Sequence, residues 1–153
     1  MRYSLASHTI QFVSTNNEIK SLIGNIRIGG EGNAVGSISV AIDSTLWTIK
    51  TYATGAWVHE KNLNRSGSVT MSISQLSPAI AKLITLCNMF YGPSNNASDK
   101  NDIDGITINI MEGSKQLAIC EDCYPTKIPS QDFNETSSDQ NWEFTCGRIT
   151  FID

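Results

Sequence analysis

The residues best equipped for chemistry are four cysteines, Cys87, Cys120, Cys123 and Cys146, and two histidines, His8 and His59. Cys120-Glu-Asp-Cys123 forms a CxxC pair. A zinc knuckle of that kind needs a second pair of ligands. None follows in the chain, and the histidines are too scattered to complete the set. A redox CxxC sits in a βαβ unit, and the flanking pattern is not of that type. The four are therefore read as packing or surface thiols. Cys87 and Cys146 fall on apolar faces and are expected to be buried and free. Cys120 and Cys123 are expected near a strand end and more reactive.

Other possible centres are incomplete. Asp99, Asp102 and Asp104 carry part of an EF-hand rhythm, but the Glu at the twelfth position and the flanking helices are missing. A solvated acidic turn is the expectation. The glycines of residues 29–36 lead into a strand pattern, whereas a phosphate cradle opens a helix. No G-x-S-x-G elbow accompanies the serines. The expectation is a protein with no catalytic residue, no cofactor and no metal. Trp47, Tyr52 and Trp57 carry more information. They are either core or part of a subunit interface, where Trp and Tyr are enriched.

The elements that would hold these residues are mostly strands. Period-two alternation marks half-buried strands over Tyr3–Val13, Ile19–Ile28, Val35–Ile42, Leu46–Ala53, Ile103–Met111 and Gln116–Tyr124, and from Trp142 towards Ile152. In Val35–Ile42, Ile38, Val40 and Ile42 face one way, and Ser37, Ser39 and Ala41 the other. After Ser66-Gly67, Val69, Met71 and Ile73 alternate with Ser68, Thr70, Ser72 and Ser74. The polar faces of both strands are small and uncharged. Residues 54–64 read as a long loop or a projecting hairpin end.

One helix is expected over 77–91. Ser77 is its N-cap and Pro78 takes the first helical position. Ile80, Leu83, Ile84, Cys87 and Tyr91 make one apolar stripe, and Gly92-Pro93 ends it. Residues 125–139 read as irregular. No repeat or linker interrupts the 153 residues, so 1–153 is read as a single domain.

Composition excludes some classes. The net charge is −4 and the pI about 5.1, against the basic face and high pI of nucleic-acid binders. No run reaches the roughly 18 apolar residues of a membrane span. The N-terminus has no uninterrupted apolar core of a secretory signal. A subunit made and kept in a cytoplasm, without membrane insertion, is expected. Charged residues make up only 17%, which suits a β protein covered in part by copies of itself.

The order of several motifs resembles tail tube proteins of contractile-tailed bacteriophages. They are Gly55-Ala-Trp-Val-His-Glu-Lys-Asn-Leu-Asn64, then Arg65-Ser-Gly-Ser-Val-Thr-Met71, then Leu76-Ser-Pro78 with the helix ending Asn88-Met-Phe-Tyr91. Thr126-Lys-Ile-Pro129 and Asn141-Trp-Glu-Phe144 match that family's ending. The glycine-rich 29–36 connector and the Cys120/Cys123 pair depart from its pattern.

The resemblance implies a mainly β fold, a two-sheet sandwich or barrel with one flanking helix. It implies rings of six that stack into a hollow tube, a conduit for DNA ejection, within a virion tail assembled in the host cytoplasm. Its partners would be other copies of itself, the tail sheath, the baseplate and the tail terminator. Double-stranded DNA would pass without specific binding. Asp43, Trp47, Tyr52, Trp57, His59, Glu60 and Lys61 are the candidates for ring stacking. Ser37, Ser39, Ser68, Thr70 and Ser72 are the candidates for facing the lumen. The alternatives are a terminator or baseplate ring of similar fold, the tube of a contractile injection or secretion system, or a secreted adhesive β-domain.

Overall fold

The computed structural model describes residues 8–14, 27–29, 35–91, 105–133, 135–136 and 138–152. Seven strands form one antiparallel sheet in the order β2-β1-β7-β8-β9-β6-β3. They are β1 (His8–Val13), β2 (Arg27–Gly29), β3 (Val35–Ile42), β6 (Gly67–Ser74), β7 (Ile106–Glu112), β8 (Lys115–Pro125) and β9 (Asp139–Phe151). β4 (Trp47–Thr51) and β5 (Trp57–Lys61) pair only with each other. The parts of the expected strands before His8 and over 19–26, and the acidic turn at 99–104, lie outside the described residues.

The seven-stranded sheet curls over itself. Phe12 in β1 and Phe144 in β9 are separated by β7 and β8, which in a flat sheet would put them about 14 Å apart. Their ring centroids are 5.8 Å apart. The strands between them bend until the two flanks face each other like the layers of a sandwich. Ile10, Phe12, Val69, Met71, Ile73, Ile106, Ile108, Trp142 and Phe144 fill the interior. Ile38, Val40 and Ile42 pack against it from β3, as their alternation predicts.

The helix, α1 (Ala79–Tyr91), lies over this core. Ser77 caps it: its Oγ accepts from the Ala79 N–H at 3.4 Å. Ile80, Leu83 and Cys87 are buried, as the stripe requires, and Leu86 joins them while Ile84 is only half-buried. Phe90 meets Tyr124 edge-on at 5.3 Å, which fastens the helix to β8.

Period two fails once in β8, at the CxxC pair. Cys120 and Cys123 are three residues apart and should point to opposite faces, yet both are fully buried. Asp122 takes a left-handed conformation with φ 56°. Ile106 and Ile108 of β7 pair with Cys123 and Cys120, so two residues of β8, Glu121 and Asp122, oppose the single Thr107 of β7. This is a β-bulge. Asp122 occupies space that Gly105 leaves open: a Cβ at Gly105 would fall 2.9 Å from the Asp122 backbone.

Candidate interaction surfaces

The β4–β5 hairpin is the most exposed element. Asp43 at its root donates its N–H to the Ser66 carbonyl at 3.1 Å, and the Asn62 N–H donates to the Leu46 carbonyl at 2.8 Å. Two asparagine side chains brace the link from β5 to β6: Asn62 Oδ1 accepts from the Asn64 N–H and Asn64 Oδ1 from the Ser66 N–H, both at 3.0 Å. At the tip the Tyr52 N–H donates to the Ala56 carbonyl and the Gly55 N–H to the Tyr52 carbonyl. Gly55 has φ 88°, a conformation that glycine adopts without steric cost. Lys50 Nζ stands 5.5 Å from the Tyr52 ring centroid.

Register sorts the stacking candidates onto faces. Trp47 lies opposite Lys61, Ile49 opposite His59, and Thr51 opposite Trp57. These six share one face. Thr48, Lys50, Val58 and Glu60 share the other. Of the predicted residues, Trp47, Trp57, His59 and Lys61 come together, Glu60 points the opposite way, Tyr52 sits in the turn and Asp43 at the root. Trp47 is 56% and Trp57 64% exposed. Neither belongs to the core, so that alternative for these two residues is set aside. Ile49 is a member of the same face that the sequence reading missed; its alternation with Thr48 and Lys50 was the available signal.

The predicted lumen residues also converge. Ser37 pairs with Ser72, Ser39 with Thr70, and Ala41 with Ser68. β9 extends this outward face with Asn141 beside Ser72, Glu143 beside Thr70, Thr145 beside Ser68 and Asp139 beside Ser74. Where the three strands pair, between Gly67 and Ser74 of β6, this face holds hydroxyls, one amide and two carboxylates and no cation among the described residues; Arg148 stands farther along β9. The β9 members were missed, although they alternate with Trp142, Phe144 and Cys146.

The cysteines correct an expectation. Cys123 stands two residues from the end of β8, as expected, but neither it nor Cys120 is accessible; with Cys146 they form a buried cluster. Cys123 lies opposite Cys146 across β8 and β9, and its Sγ donates to Cys146 Sγ at 2.9 Å. The hydrogen bond with Cys146, together with burial, pushes the Cys120 thiol far above its usual range. At Cys146 the bond with Cys120 lowers the value, but the bond with Cys123 and burial outweigh it and push it up to about 12. Burial raises Cys87 to about 11. All four cysteines are free and buried. Among the described residues no grouping of His, Cys, Asp and Glu is arranged to hold a metal ion.

A second apolar patch lies at the other end of the sandwich. The Gln75 N–H donates to the Ser138 carbonyl at 3.0 Å. Gln75 Nε2 donates to the Asp132 carbonyl at 2.7 Å, and the Ser138 N–H donates to Gln75 Oε1 at 3.4 Å. Gln140 bridges Gln131 Oε1 and the Trp142 indole N–H. The irregular segment after β8 is thereby held down; Phe133, 90% exposed, follows Asp132, and Leu76, 78% exposed, follows Gln75, so the Gln75–Asp132 bond brings the two segments together.

The fold compares with solved structures at low identity. A chain of the extracellular contractile injection system PVC sheath–tube complex in the extended state gives a TM-score of 0.59 at 14% identity, over 99% of this chain and 91% of that one. A chain of the anti-feeding prophage cap, which terminates the AFP tube, gives 0.53 at 15%, over 99% and 93%. The PVC sheath/tube terminator in the extended state gives 0.54 at 16%, over 100% and 98%. Comparison of the sequence with curated proteins finds no match. A family profile, that of the bacteriophage PhiTE tail tube protein, matches residues 7–152. With that match spanning nearly every element just described, the chain belongs to the PhiTE tail tube protein family.

Proposed function

We propose that this chain is the repeating subunit of a virion tail tube. Copies close laterally into rings of six through β2 and β3, the outermost described strands of the sheet, which removes strand edges that would otherwise aggregate. Rings stack through residues 43–64. The face of Ser37, Ser39, Ser68, Thr70 and Ser72 lines a channel through which double-stranded DNA passes. Over these residues the hydroxyl and carboxylate lining offers phosphates no cation among the described residues, which limits braking of the duplex by phosphate contacts. The outside of the tube meets the sheath, and its ends meet the baseplate and the terminator. No catalytic role is assigned.

The observation that carries this reading is the hairpin. An isolated two-stranded ribbon is marginal in water, yet this one keeps Trp47, Ile49 and Trp57 exposed on one face. It is complete only when another surface covers it. Negative-stain microscopy of the purified protein tests the proposal: rings of six stacked into long hollow tubes are expected. A monomer at every concentration sinks it.

The cap and terminator likenesses favour a second reading, a ring that ends a tube. The same images separate the two, because a terminator stops at one ring. Deleting the turn between Tyr52 and Ala56 is expected to leave single rings and no tubes.

A further inference from the structure

The two ends of the sandwich present different surfaces: the apolar face of the hairpin and the cleft at its root carry cations, with Glu60 on the opposite face of the hairpin, and the far end carries carboxylates. β6 carries the chain from Gly67 at one end to Ser74 at the other, roughly 23 Å at the rise of a strand. At the Gly67 end stands the hairpin, and at its root a cleft lined by Leu63, Asn64, Arg65, Gly147 and Arg148. Both guanidiniums are exposed. Among the described residues neither has an ion pair, although Glu121 lies opposite Arg148 in the register and Asp43 stands at the same end. The apolar face of the hairpin adds Lys61 and holds no carboxylate. At the Ser74 end Leu76 and Phe133 are exposed; Asp132 and Asp139 line a cleft there with Lys127, and Glu135 is exposed two residues beyond Phe133. Lys127 is the one cation among the described residues of 126–139.

An apolar patch beside cations and an apolar patch beside carboxylates cannot meet within one chain, because the same strand holds them apart. Two copies arranged head to tail bring them together. We propose that the Leu76–Phe133 end of one copy is the seat for the hairpin end of the next. Trp47, Ile49 and Trp57 cover Leu76 and Phe133, while Arg65, Arg148 and Lys61 face Asp132, Glu135 and Asp139. This rests on the tube reading and names the receiving surface within it. The contact has an apolar centre and a polar rim. Opposed potentials fix its direction. It joins two different patches, so it does not close on itself and propagates as a filament. The Gln75 hydrogen bonds hold the seat in place before the partner arrives, which lowers the ordering cost of association.

Charge exchange tests it. Arg65→Glu with Arg148→Glu makes both ends acidic, and Asp132→Lys with Asp139→Lys makes the seat basic. Each double variant is expected to keep the circular dichroism of the parent and its rings, while sedimentable tubes fall about tenfold or more. The quadruple variant, with both ends exchanged, is expected to recover tubes, and a mixture of the two double variants to form them. Unchanged assembly by the double variants, or no recovery in the quadruple, overturns the proposal. Salt gives an independent measure on the unaltered chain: its elongation rate should fall steeply as NaCl rises, and a salt-independent rate overturns the charge pairing. Failure of the unaltered chain to form any tube instead removes the tube reading on which the proposal stands.

Discussion

Trp57→Ala separates assembly from folding. Trp57 is 64% exposed in the single subunit. A Trp side chain offers about 150–250 Å² for burial, so roughly 100–150 Å² remains in water. Covering that area at about 25 cal/mol/Å² is worth about 3 kcal/mol per subunit contact. Each 1.4 kcal/mol is a factor of about ten, so the loss corresponds to about two orders of magnitude in affinity per contact. The folded subunit should notice little, because exposed substitutions usually stay within about 0.5 kcal/mol. Assembly is read by sedimentation and microscopy across a concentration series, and folding by urea denaturation monitored by circular dichroism. Trp142→Ala provides the contrast: Trp142 is fully buried, and its loss should cost about 3–5 kcal/mol of stability. Tubes formed by Trp57→Ala at the parent concentration would refute the reasoning. So would a urea midpoint shifted as far as that of Trp142→Ala, since Trp57 would then be core.

The thiols should resist alkylation at pH 8 in the native protein and react on addition of urea, which mass spectrometry reads directly. Burial raises Cys87 from 9.0 to about 11; at Cys146 the bond with Cys120 lowers the value, but the bond with Cys123 and burial outweigh it and raise it to about 12. A raised folded value contributes stability that is fully present below about 9 and is lost as pH climbs through 11 and 12; urea midpoints at pH 7 and pH 10.5 should show that fall. Gly67→Ala should destabilise by about 1–3 kcal/mol, because its Cβ would lie 2.7 Å from Ile149 Cδ1 and 2.9 Å from the Ala41 carbonyl carbon; thermal denaturation checks it. Gln75→Ala should cost about 1–2 kcal/mol and accelerate tryptic cleavage after Lys127, since it frees the segment that Gln75 holds at Asp132 and Ser138.

The strands of this fold could be read where one face is uniformly apolar and the other uniformly polar. Val69, Met71 and Ile73 against Ser68, Thr70 and Ser72 announce β6 directly, and the capped stripe announces α1. The hairpin was legible as a projection, but its second strand was not. Trp57–Lys61 has no buried face to impose an alternation, because both faces of the ribbon are exposed. The CxxC misled for a different reason. Two residues at i and i+3 on a regular strand point apart, and only the left-handed Asp122, seated against Gly105, brings both thiols inside. That depends on a glycine far away in sequence. The seat at Leu76 and Phe133 was equally hidden, because Gln75 reaches across more than fifty residues to hold it.

The bulge at Asp122 has a counterpart in the next strand. In β9 the buried positions run Trp142, Phe144, Cys146 and then Ile149, an odd step that matches the odd step from Cys120 to Cys123. Because both strands change parity at the same level, Cys120 still meets Ile149 and Cys123 still meets Cys146 without slippage between them. The two irregularities therefore form a single unit of inheritance. Removing one residue from either strand alone turns the remainder of that strand inside out relative to its neighbour. Removing one from each, at Asp122 and Gly147, restores even counting and keeps the interior apolar, and it also leaves β8 with the same two-residue step that β7 makes from Ile106 to Ile108. Length variants of this segment should accordingly appear in pairs.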